Sequence, residues 1–573
     1  MDMNNANDND TIDLKKLFSL MLEKKMIVIA IIVICTIIAT IVAFVLPKSY
    51  QSTTLVRVKS SSSSSMAGYA AMAAGFGIDI GGGSSGSPES YIELMKSREV
   101  LEPIIAELDL PDEDKEKLTV DREINQIDNI DISVESDRGR IFSSAAFRRL
   151  QKRTQVFALE LNASIRSRLT HSLEVAQNAR YIARTILQKL KKDGLETYGL
   201  EDIENAFIST AEMTSLLHDI GNPPFGHFAE ETINKWLKNN VVQKLETFNS
   251  SIKEIEDLKN ILKSDICNYD GNAQAIRIIT KLQRLNLSYF QIIAVLKYTR
   301  GAFEEKPKDT DSLNYLKKKP GFYFSEKDLV EKIQKTLNIK VGHRFPITYI
   351  MEAADDISYL TADLEDSVEK GILSLDEVYT LITSECKKRD ETFLSQILEK
   401  RYKKAKENEE PYQFNMFFTL VRVDLVKSFV EHVSNIFIEN HKAIFEGSFN
   451  SALLEYDKTS KYYKALEVLQ DISKKHIYSN KEVQTLELQA YTIVNGLFDI
   501  YKPLLELTTS DFSKLLEDEK IDCFISKRLI KRISSKQIVA YKNDIKKLNT
   551  DNIEEYNILE FYYRVRLIID YIS

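Results

Sequence analysis

The chain has 573 residues, too many for one ordinary domain, and its 43% hydrophobic and 28% charged residues are typical of a folded protein. The formal net charge of −8 argues against a chain dominated by nucleic-acid binding, although a local basic groove is compatible with it. The four cysteines form no CxxC pair, so neither a disulfide framework nor a zinc–cysteine cluster is predicted.

The first predicted element is a transmembrane helix at 26–46, a run without any charged residue. An α-helix rises about 1.5 Å per residue, so this run matches a hydrocarbon core of about 30 Å. A secretory signal is the alternative, but its apolar core usually has only about 7–15 residues and precedes a small-residue cleavage site. Four lysines in residues 15–25 predict that the segment 1–25 is cytoplasmic, with everything after the span on the other side.

Beyond the span, the alternating run SYQSTTLVRVK (49–59) predicts a strand, and SSSSSS (60–65) with GGGSSGSP (81–88) predicts a flexible linker. Residues 89–118 predict an amphipathic helix. Together with IDLKKLFSLMLEKK before the span, these segments resemble the Wzz-like polysaccharide chain-length determinants. The large helical domain and second membrane helix expected of that family do not follow, so a generic membrane anchor is the alternative interpretation.

From about residue 121 onward, helical periodicity of apolar residues dominates, which predicts an all-α fold. We therefore divide the chain into a cytoplasmic segment (1–25), a membrane helix (26–46), and a Wzz-like fragment with linker (47–120). A catalytic core (121–372) and a C-terminal helical part (373–573) complete it.

Three segments of the core carry residues suited to metal binding: RLTHSLEVAQNARYIA (168–183), SLLHDIGNPPFGHFAEE (215–231) and YIMEAADDISYLTADLEDSVEKG (349–371). Histidine and carboxylate ligands on separate helices suit Mn²⁺, Mg²⁺, Fe²⁺ or Zn²⁺ with open positions for water and substrate. A lone helical histidine is more often structural, and an HD dipeptide arises by chance. The order H…HD…D, however, resembles the HD-domain phosphohydrolases.

A more specific resemblance covers blocks between residues 136 and 372, among them SDRGRIFSSAAFRRLQKRTQVF (136–157), LLHDIGNPPFGHFAEETIN (216–234) and RFPITYIMEAADDISYLTADLEDSVEKGI (344–372). These blocks are similar to the bacterial dGTP triphosphohydrolases. The resemblance implies metal-dependent release of intact triphosphate from dGTP or other dNTPs, by attack at the α-phosphate. It also implies a homo-oligomer, often hexameric, and single-stranded DNA as a further partner.

The same resemblance implies that His171, His218 and Asp219 are metal ligands and that the fourth ligand is Asp355 or Asp356. Asp355 shares one helix face with Tyr359 and Asp363, at i, i+4 and i+8, whereas Asp356 points about 100° away. The family places a tyrosine and an aspartate at those offsets against the deoxyribose. This favours Asp355 as the ligand and leaves Asp356 as a surface or supporting group.

His227 and Glu230, spaced i and i+3, allow one carboxylate to orient one imidazole, and the resemblance assigns them proton transfer. The alternative is an ordinary carboxylate at a helix N-terminus, next to a histidine whose hydrogen bonds are satisfied. For Tyr359 the resemblance implies stacking under the sugar so that a 2′-hydroxyl is excluded, and plain core packing is the alternative. Lys317 and Lys318 carry the same charge as Lys319 and are therefore alternatives to it as the substrate-binding lysine. The substrate-binding residues implied fall into three groups. Arg168, Lys297 and Lys319 lie near the phosphates, and Asn272 lies around the sugar and substrate pocket. Tyr359, Gln155 and Asp363 contact the sugar, the last two by binding its 3′-hydroxyl.

Location and function leave alternatives open at this point. A single span would place the phosphohydrolase outside the cytoplasm, where dNTPs are absent, so inverted insertion, an unusual fusion or two joined reading frames would be needed. An HD phosphohydrolase of a signalling nucleotide is a second functional hypothesis. A membrane polysaccharide-assembly protein with an inactive HD module is a third.

Overall fold

The structure, a computed structural model, describes residues 130–248, 250–519 and 522–573, which all belong to one compact unit. Helices predominate there, and a single two-stranded sheet is the only sheet within these ranges, so the prediction of a mainly helical fold is confirmed. No helix in the described ranges is long and apolar enough to cross a membrane. The predicted span at 26–46 and the strand, linker and helix predicted within 49–118 lie outside them.

The first part of the described chain is built from nine helices that precede the sheet. They are α1 (Ile130–Ser143), α2 (Ala145–Arg149), α3 (Arg168–Leu190), α4 (Glu204–Leu217), α5 (Gly226–Asn240), α6 (Val242–Glu246), α7 (Lys253–Ile266), α8 (Gly271–Arg277) and α9 (Tyr289–Val295). Short 3₁₀ turns at Leu150–Lys152 and Leu195–Tyr198 and a π-helical turn at Ile278–Leu282 connect them.

The sheet consists of two short parallel strands, β1 (Arg300–Gly301) and β2 (Pro320–Phe322). A 3₁₀ turn (Phe324–Glu326) follows, and a π-helical turn (Ser473–Tyr478) comes later in the chain. The remaining helices are α10 (Lys327–Thr336), α11 (Pro346–Glu369), α12 (Leu375–Lys388), α13 (Phe393–Lys406), α14 (Glu410–Glu439), α15 (His441–Phe445), α16 (Lys461–Ile472), α17 (Lys481–Glu506), α18 (Thr509–Leu516), α19 (Phe524–Ile530), α20 (Ser535–Lys546) and α21 (Ile553–Ile572).

Helix α3 shows how the sequence pattern determines the packing around the site. Its apolar side chains recur every three or four residues (Val175, Ala179, Ile182, Ile186) and are all buried, because this spacing keeps them on one face. That face packs in the largest core cluster, with α4, α11 and α14. Ser167 caps the first turn by accepting from the amide of Thr170, so the residues of that turn are held at a fixed helix end.

Helix α11 begins with Pro346, whose fixed φ suits the first helical position. Most of its residues are buried, including the acidic Glu352, Asp363 and Asp366. Buried carboxylates are costly unless they are paired with cations or hydrogen-bond donors. Acidic residues along a buried helix therefore indicate where the functional groups lie.

Candidate active site

Two histidines and one aspartate converge where the start of α3, the end of α4 and the middle of α11 meet. His171 Nε2 lies 3.2 Å from Asp355 Oδ1, and His218 Nε2 lies 3.5 Å from the same oxygen. The three candidate ligand atoms are all within 4.8 Å of one another. Two imidazoles and one carboxylate at this spacing fit a divalent transition metal or Mg²⁺. Asp355, the carboxylate that the helix-face argument favoured, is the one that lies with the two histidines.

The orientation of the two imidazoles has different origins. His218 ends α4, and its Nδ1 lies 2.7 Å from the carbonyl oxygen of Ser215, which directs Nε2 towards the cluster. His171 is 1% exposed, and its Nε2 faces Asp355. Burial alone would lower the pKa of His171, but the hydrogen bond and charge of Asp355 raise it above its usual value. Conversely, the two histidines and Lys297 lower the pKa of Asp355 despite its burial.

Asp219, the other predicted ligand, lies beside this cluster with its carboxylate engaged elsewhere. Its Oδ2 accepts a 2.7 Å hydrogen bond from Arg168 Nη1, and its Oδ1 accepts from the side-chain amide of Asn222. Oδ1 is 3.7 Å from His218 Nε2. The structure thus joins a predicted metal ligand to a predicted phosphate-binding arginine, a pairing that the sequence pattern did not indicate.

Asp356 was predicted as a surface or supporting group, and it is half-buried. Burial, together with the neighbouring carboxylates Glu352 and Asp355, raises the pKa of Asp356 well above its ordinary value, despite the nearby charge of Lys297. Among the described residues, Asp355 and not Asp356 belongs to the group whose ligand atoms lie within 4.8 Å of one another, so the geometry favours Asp355.

His227 and Glu230 form the second predicted pair. His227 Nδ1 lies 2.6 Å from Glu230 Oε2, and the other carboxylate oxygen accepts a 2.8 Å hydrogen bond from the Gly271 amide. The imidazole is 75% exposed, whereas Glu230 is buried. Burial would raise the pKa of Glu230, but the hydrogen bond and charge of His227 lower it, as does the Gly271 amide. Glu230 is therefore an anionic anchor that orients an accessible imidazole.

Close backbone packing holds the metal cluster and the His227–Glu230 pair in place relative to each other. A Cβ atom on Gly221 would lie 2.1 Å from the carbonyl oxygen of Gly271 and 2.3 Å from the amide nitrogen of Ala275. The loop after His218–Asp219 is therefore in direct contact with the start of α8. Gly226, at a φ of 60°, has a related role, since a Cβ there would lie 3.2 Å from Arg168 Nη2.

The two predicted phosphate-binding lysines each lie near a buried carboxylate. Lys297 Nζ is 3.7 Å from Glu352 Oε1 and 4.0 Å from Asp355 Oδ2. Lys319 Nζ is 3.9 Å from Asp270 Oδ2. Its neighbour Lys318 instead stacks over Tyr315, 4.1 Å from the ring centroid.

Asp270 also caps α8 and accepts a 2.7 Å hydrogen bond from the side-chain amide of Asn272. The predicted Lys319 and Asn272 are thereby brought to the same carboxylate. Asp270 was not among the predicted site residues, although its position before an N-terminal glycine is a helix-capping signal.

Of the three predicted sugar-contacting residues, Tyr359 and Asp363 lie on α11, and a cavity of about 220 Å³ adjoins that helix. Tyr359 lines this cavity, and its hydroxyl accepts a hydrogen bond from Gln470. Asp363 accepts from the hydroxyl of Tyr478. Gln155, predicted to bind the 3′-hydroxyl, keeps a buried side-chain oxygen without a hydrogen-bond partner. Gln470 and Tyr478 were missed by sequence reasoning because they are more than 100 residues from α11 in the chain and carry no motif.

Comparison with known proteins defines the class first: residues 168–288, which include both histidines, match the family model described as the HD domain. The similarity extends much further than that module. The chain is 43% identical over 459 residues to the deoxyguanosinetriphosphate triphosphohydrolases of Salmonella typhimurium, Salmonella schwarzengrund and Salmonella typhi, which covers 77% of this chain and 90% of each relative. The chain belongs to the deoxyguanosinetriphosphate triphosphohydrolase family. Residues 10–108 match the model described as chain length determinant protein, Wzz, so the resemblance of the N-terminal part is also confirmed.

Proposed function

We propose that this chain is a metal-dependent hydrolase that cleaves dGTP to deoxyguanosine and inorganic triphosphate. The observation that carries the proposal is the cluster of His171, His218 and Asp355, placed within a chain of this family. Guanine as the preferred base is part of the proposal, and so is activity on other dNTPs.

The residues proposed to hold the cation are His171, His218, Asp219 and Asp355. Two imidazole nitrogens and carboxylate oxygens suit Mn²⁺ or Mg²⁺ and are compatible with Fe²⁺ or Zn²⁺. When bound, a divalent cation supplies Lewis-acid polarisation of phosphoryl oxygens and lowers the pKa of coordinated water.

Proton transfer is proposed for His227, with Glu230 as the group that orients it. Because Glu230 holds Nδ1 of the imidazole, the remaining ring nitrogen is directed away from the carboxylate. That nitrogen can take a proton from the attacking water or give one to the departing 5′-oxygen of the nucleoside. Attack at the α-phosphorus breaks the bond to this oxygen, so the three phosphates leave together.

Charge on the triphosphate is proposed to be balanced by three cations, Arg168, Lys297 and Lys319, and Asn272 is proposed to line the sugar and substrate pocket. Arg168 already bonds to Asp219, so it lies beside the cation site. Fixed donors of this kind stabilise the developing charge without reorganisation during the reaction.

The deoxyribose is proposed to stack on Tyr359, with its 3′-hydroxyl bound by Gln155 and Asp363. The unpaired oxygen of Gln155 supports this role, because a buried acceptor gains from a ligand hydroxyl. In the structure Tyr478 donates to Asp363, so sugar binding exchanges one hydroxyl donor for another.

Assembly and location complete the proposal. The chain forms a homo-oligomer, a hexamer by resemblance, binds single-stranded DNA, and is attached to the membrane through one span at 26–46. The uncharged run and the match of residues 10–108 support the span. The parts at 121–372 and 373–573 work in the cytoplasm, where dNTPs occur, which requires inverted insertion, an unusual fusion or two joined reading frames. Light scattering and carbonate extraction of membranes test these points.

One assay tests the activity directly. The purified chain is incubated with Mn²⁺ and each dNTP, or with GTP, and the products are separated by anion-exchange chromatography. Tripolyphosphate with deoxyguanosine is expected, and His171→Ala should lose bound metal and turnover together. Release of pyrophosphate with a monophosphate would overturn the proposal. Equal turnover of GTP would favour a signalling nucleotide instead.

A further inference from the structure

Glu352 is a buried carboxylate with no role in the site described so far. It lies on α11 one turn before Asp355 and is 3% exposed. Three side chains surround its two oxygens. The Tyr315 hydroxyl donates to Oε1 at 2.8 Å, Arg344 Nη1 donates to Oε2 at 2.6 Å, and Lys297 Nζ stands 3.7 Å from Oε1.

Two of these partners are packed in place: Arg344 is buried, and Tyr315 is partly buried against the largest core cluster. Arg344 is 1% exposed and lies over the rings of Tyr298, Tyr315 and Tyr349, with centroid distances of 5.0–5.9 Å. A guanidinium enclosed in this way cannot reach a ligand, so its charge serves the carboxylate beside it. Tyr315 and Arg344 thus hold Glu352 in one position.

Lys297 differs from these two partners. Its separation of 3.7 Å from Glu352 is longer than a hydrogen bond, so the pair is coulombic and the ammonium keeps its donors available. The second carboxylate within reach is Asp355 of the metal cluster, 4.0 Å away. Burial would lower the pKa of Lys297, but Glu352, followed by Tyr298 and Asp355, raises it, so the side chain stays charged.

We propose that Glu352 is a positioning residue that holds the Lys297 ammonium next to the triphosphate and keeps it from pairing with Asp355. Without Glu352, Asp355 is the nearest remaining carboxylate, and the lysine would compete with the divalent cation for it. The inference rests on the proposed function, because that function assigns Lys297 to the phosphates.

The test is a set of variants of the full chain. Glu352→Gln keeps the shape but removes the charge, and Lys297→Met removes the cation. The matched control is Glu560→Gln, because Glu560 is also 1% exposed and accepts from a tyrosine (Tyr541, 2.5 Å) and an arginine (Arg564 Nε, 2.9 Å) in another part of the fold. The measurements are KM and kcat for dGTP and the Kd for inorganic tripolyphosphate.

We expect Glu352→Gln to raise KM and the tripolyphosphate Kd by roughly tenfold, the effect of losing one charge-assisted contact. Added to Lys297→Met, it should have no further effect, because its role acts through that lysine. Glu560→Gln should change Tm and leave both constants unaltered. Tyr315→Phe, which removes only one hydrogen bond to Glu352, should raise both constants by about threefold, and it replaces Glu352→Gln as the test if that variant does not fold.

The inference is overturned if Glu352→Gln, or Tyr315→Phe in its place, leaves both constants unchanged. It also fails if the effects of Glu352→Gln and Lys297→Met multiply, or if the unaltered chain binds no tripolyphosphate. Binding separates this inference from the proposed activity. Tripolyphosphate affinity that depends on Glu352, in a chain that does not cleave dGTP, would support the positioning role and reject the reaction.

Discussion

Replacing Gly221 by alanine should move the loop after His218 away from α8. This would disturb the alignment of the metal cluster with the His227–Glu230 pair. Gly221 lies in the loop that follows His218 and Asp219, and the start of α8 packs against it. A Cβ atom at this position would be 2.1 Å from the carbonyl oxygen of Gly271. Ordinary contacts begin at 3.4 Å, so the loop and α8 must move apart by about 1.3 Å (3.4 minus 2.1). The two nearest atoms, the carbonyl oxygen of Gly271 and the amide nitrogen of Ala275, both belong to the backbone, so no side-chain rotation relieves the overlap.

The magnitude follows from that displacement. Overpacking of this kind costs about 1–3 kcal/mol of unfolding free energy, which lowers Tm by several degrees. A misplacement of about 1 Å between reacting groups costs on the order of a hundredfold in rate. Gly221→Ala should therefore lower kcat for dGTP far more than it lowers stability, because His218 is carried by the loop and Glu230 is bonded to Gly271.

The assay compares kcat, Mn²⁺ affinity and Tm with those of Gly139→Ala. Gly139 lies within α1 and has no atom within 4 Å of an added Cβ, so alanine there should be neutral or stabilise by about 0.5–1 kcal/mol. If Gly221→Ala leaves kcat and Tm unaltered, the backbone contact between the Gly221 loop and α8 does not align the metal cluster with the His227–Glu230 pair. Equal losses in both variants would show that the effect is not specific to the contact.

Three further predictions concern individual groups. Asp355 raises the pKa of His171, so the proton on this imidazole persists to higher pH than in a free histidine, and a cation must displace it. Mn²⁺ affinity should therefore fall as the pH is lowered through that raised pKa. Calorimetry at several pH values measures this. Glu230→Gln should lower kcat by at least tenfold and leave Mn²⁺ affinity unchanged, and a parallel loss of metal would contradict the separate roles of the two clusters. Tyr359→Ala should raise the ratio of kcat/KM for GTP to that for dGTP by about tenfold or more, and an unchanged ratio would exclude Tyr359 as the sugar filter.

Sequence reasoning reached furthest where the residues share one helix. The period of 3.6 residues places Asp355, Tyr359 and Asp363 on one face, and the family resemblance then favoured Asp355 over Asp356 as the ligand. In the structure all three lie on α11, and Asp355 is the carboxylate next to His171 and His218. The helical character of the described chain follows from the same periodicity.

The pairings that sequence reasoning did not predict depend on contacts between distant parts of the chain. Tyr478 reaches Asp363, and Arg168 pairs with Asp219, but nothing in the local sequence of either partner indicates the other. The same holds for Glu352, which sits within a recognised motif but acquires its meaning from the approach of Lys297. Such pairings are set by tertiary packing, which a linear pattern does not encode.

One consequence of α11 concerns the length of the substrate. Asp355 and Asp363 are eight residues apart on one continuous α-helix, and at about 1.5 Å per residue this sets roughly 12 Å between them. If the first addresses the reacting phosphate end and the second the sugar hydroxyl, the helix fixes the distance between these two contacts at about two turns. Inserting a single residue between them would rotate Asp363 by about 100° relative to Asp355 and shift it by about 1.5 Å. The position of the reacting phosphate and the choice of sugar would therefore change together.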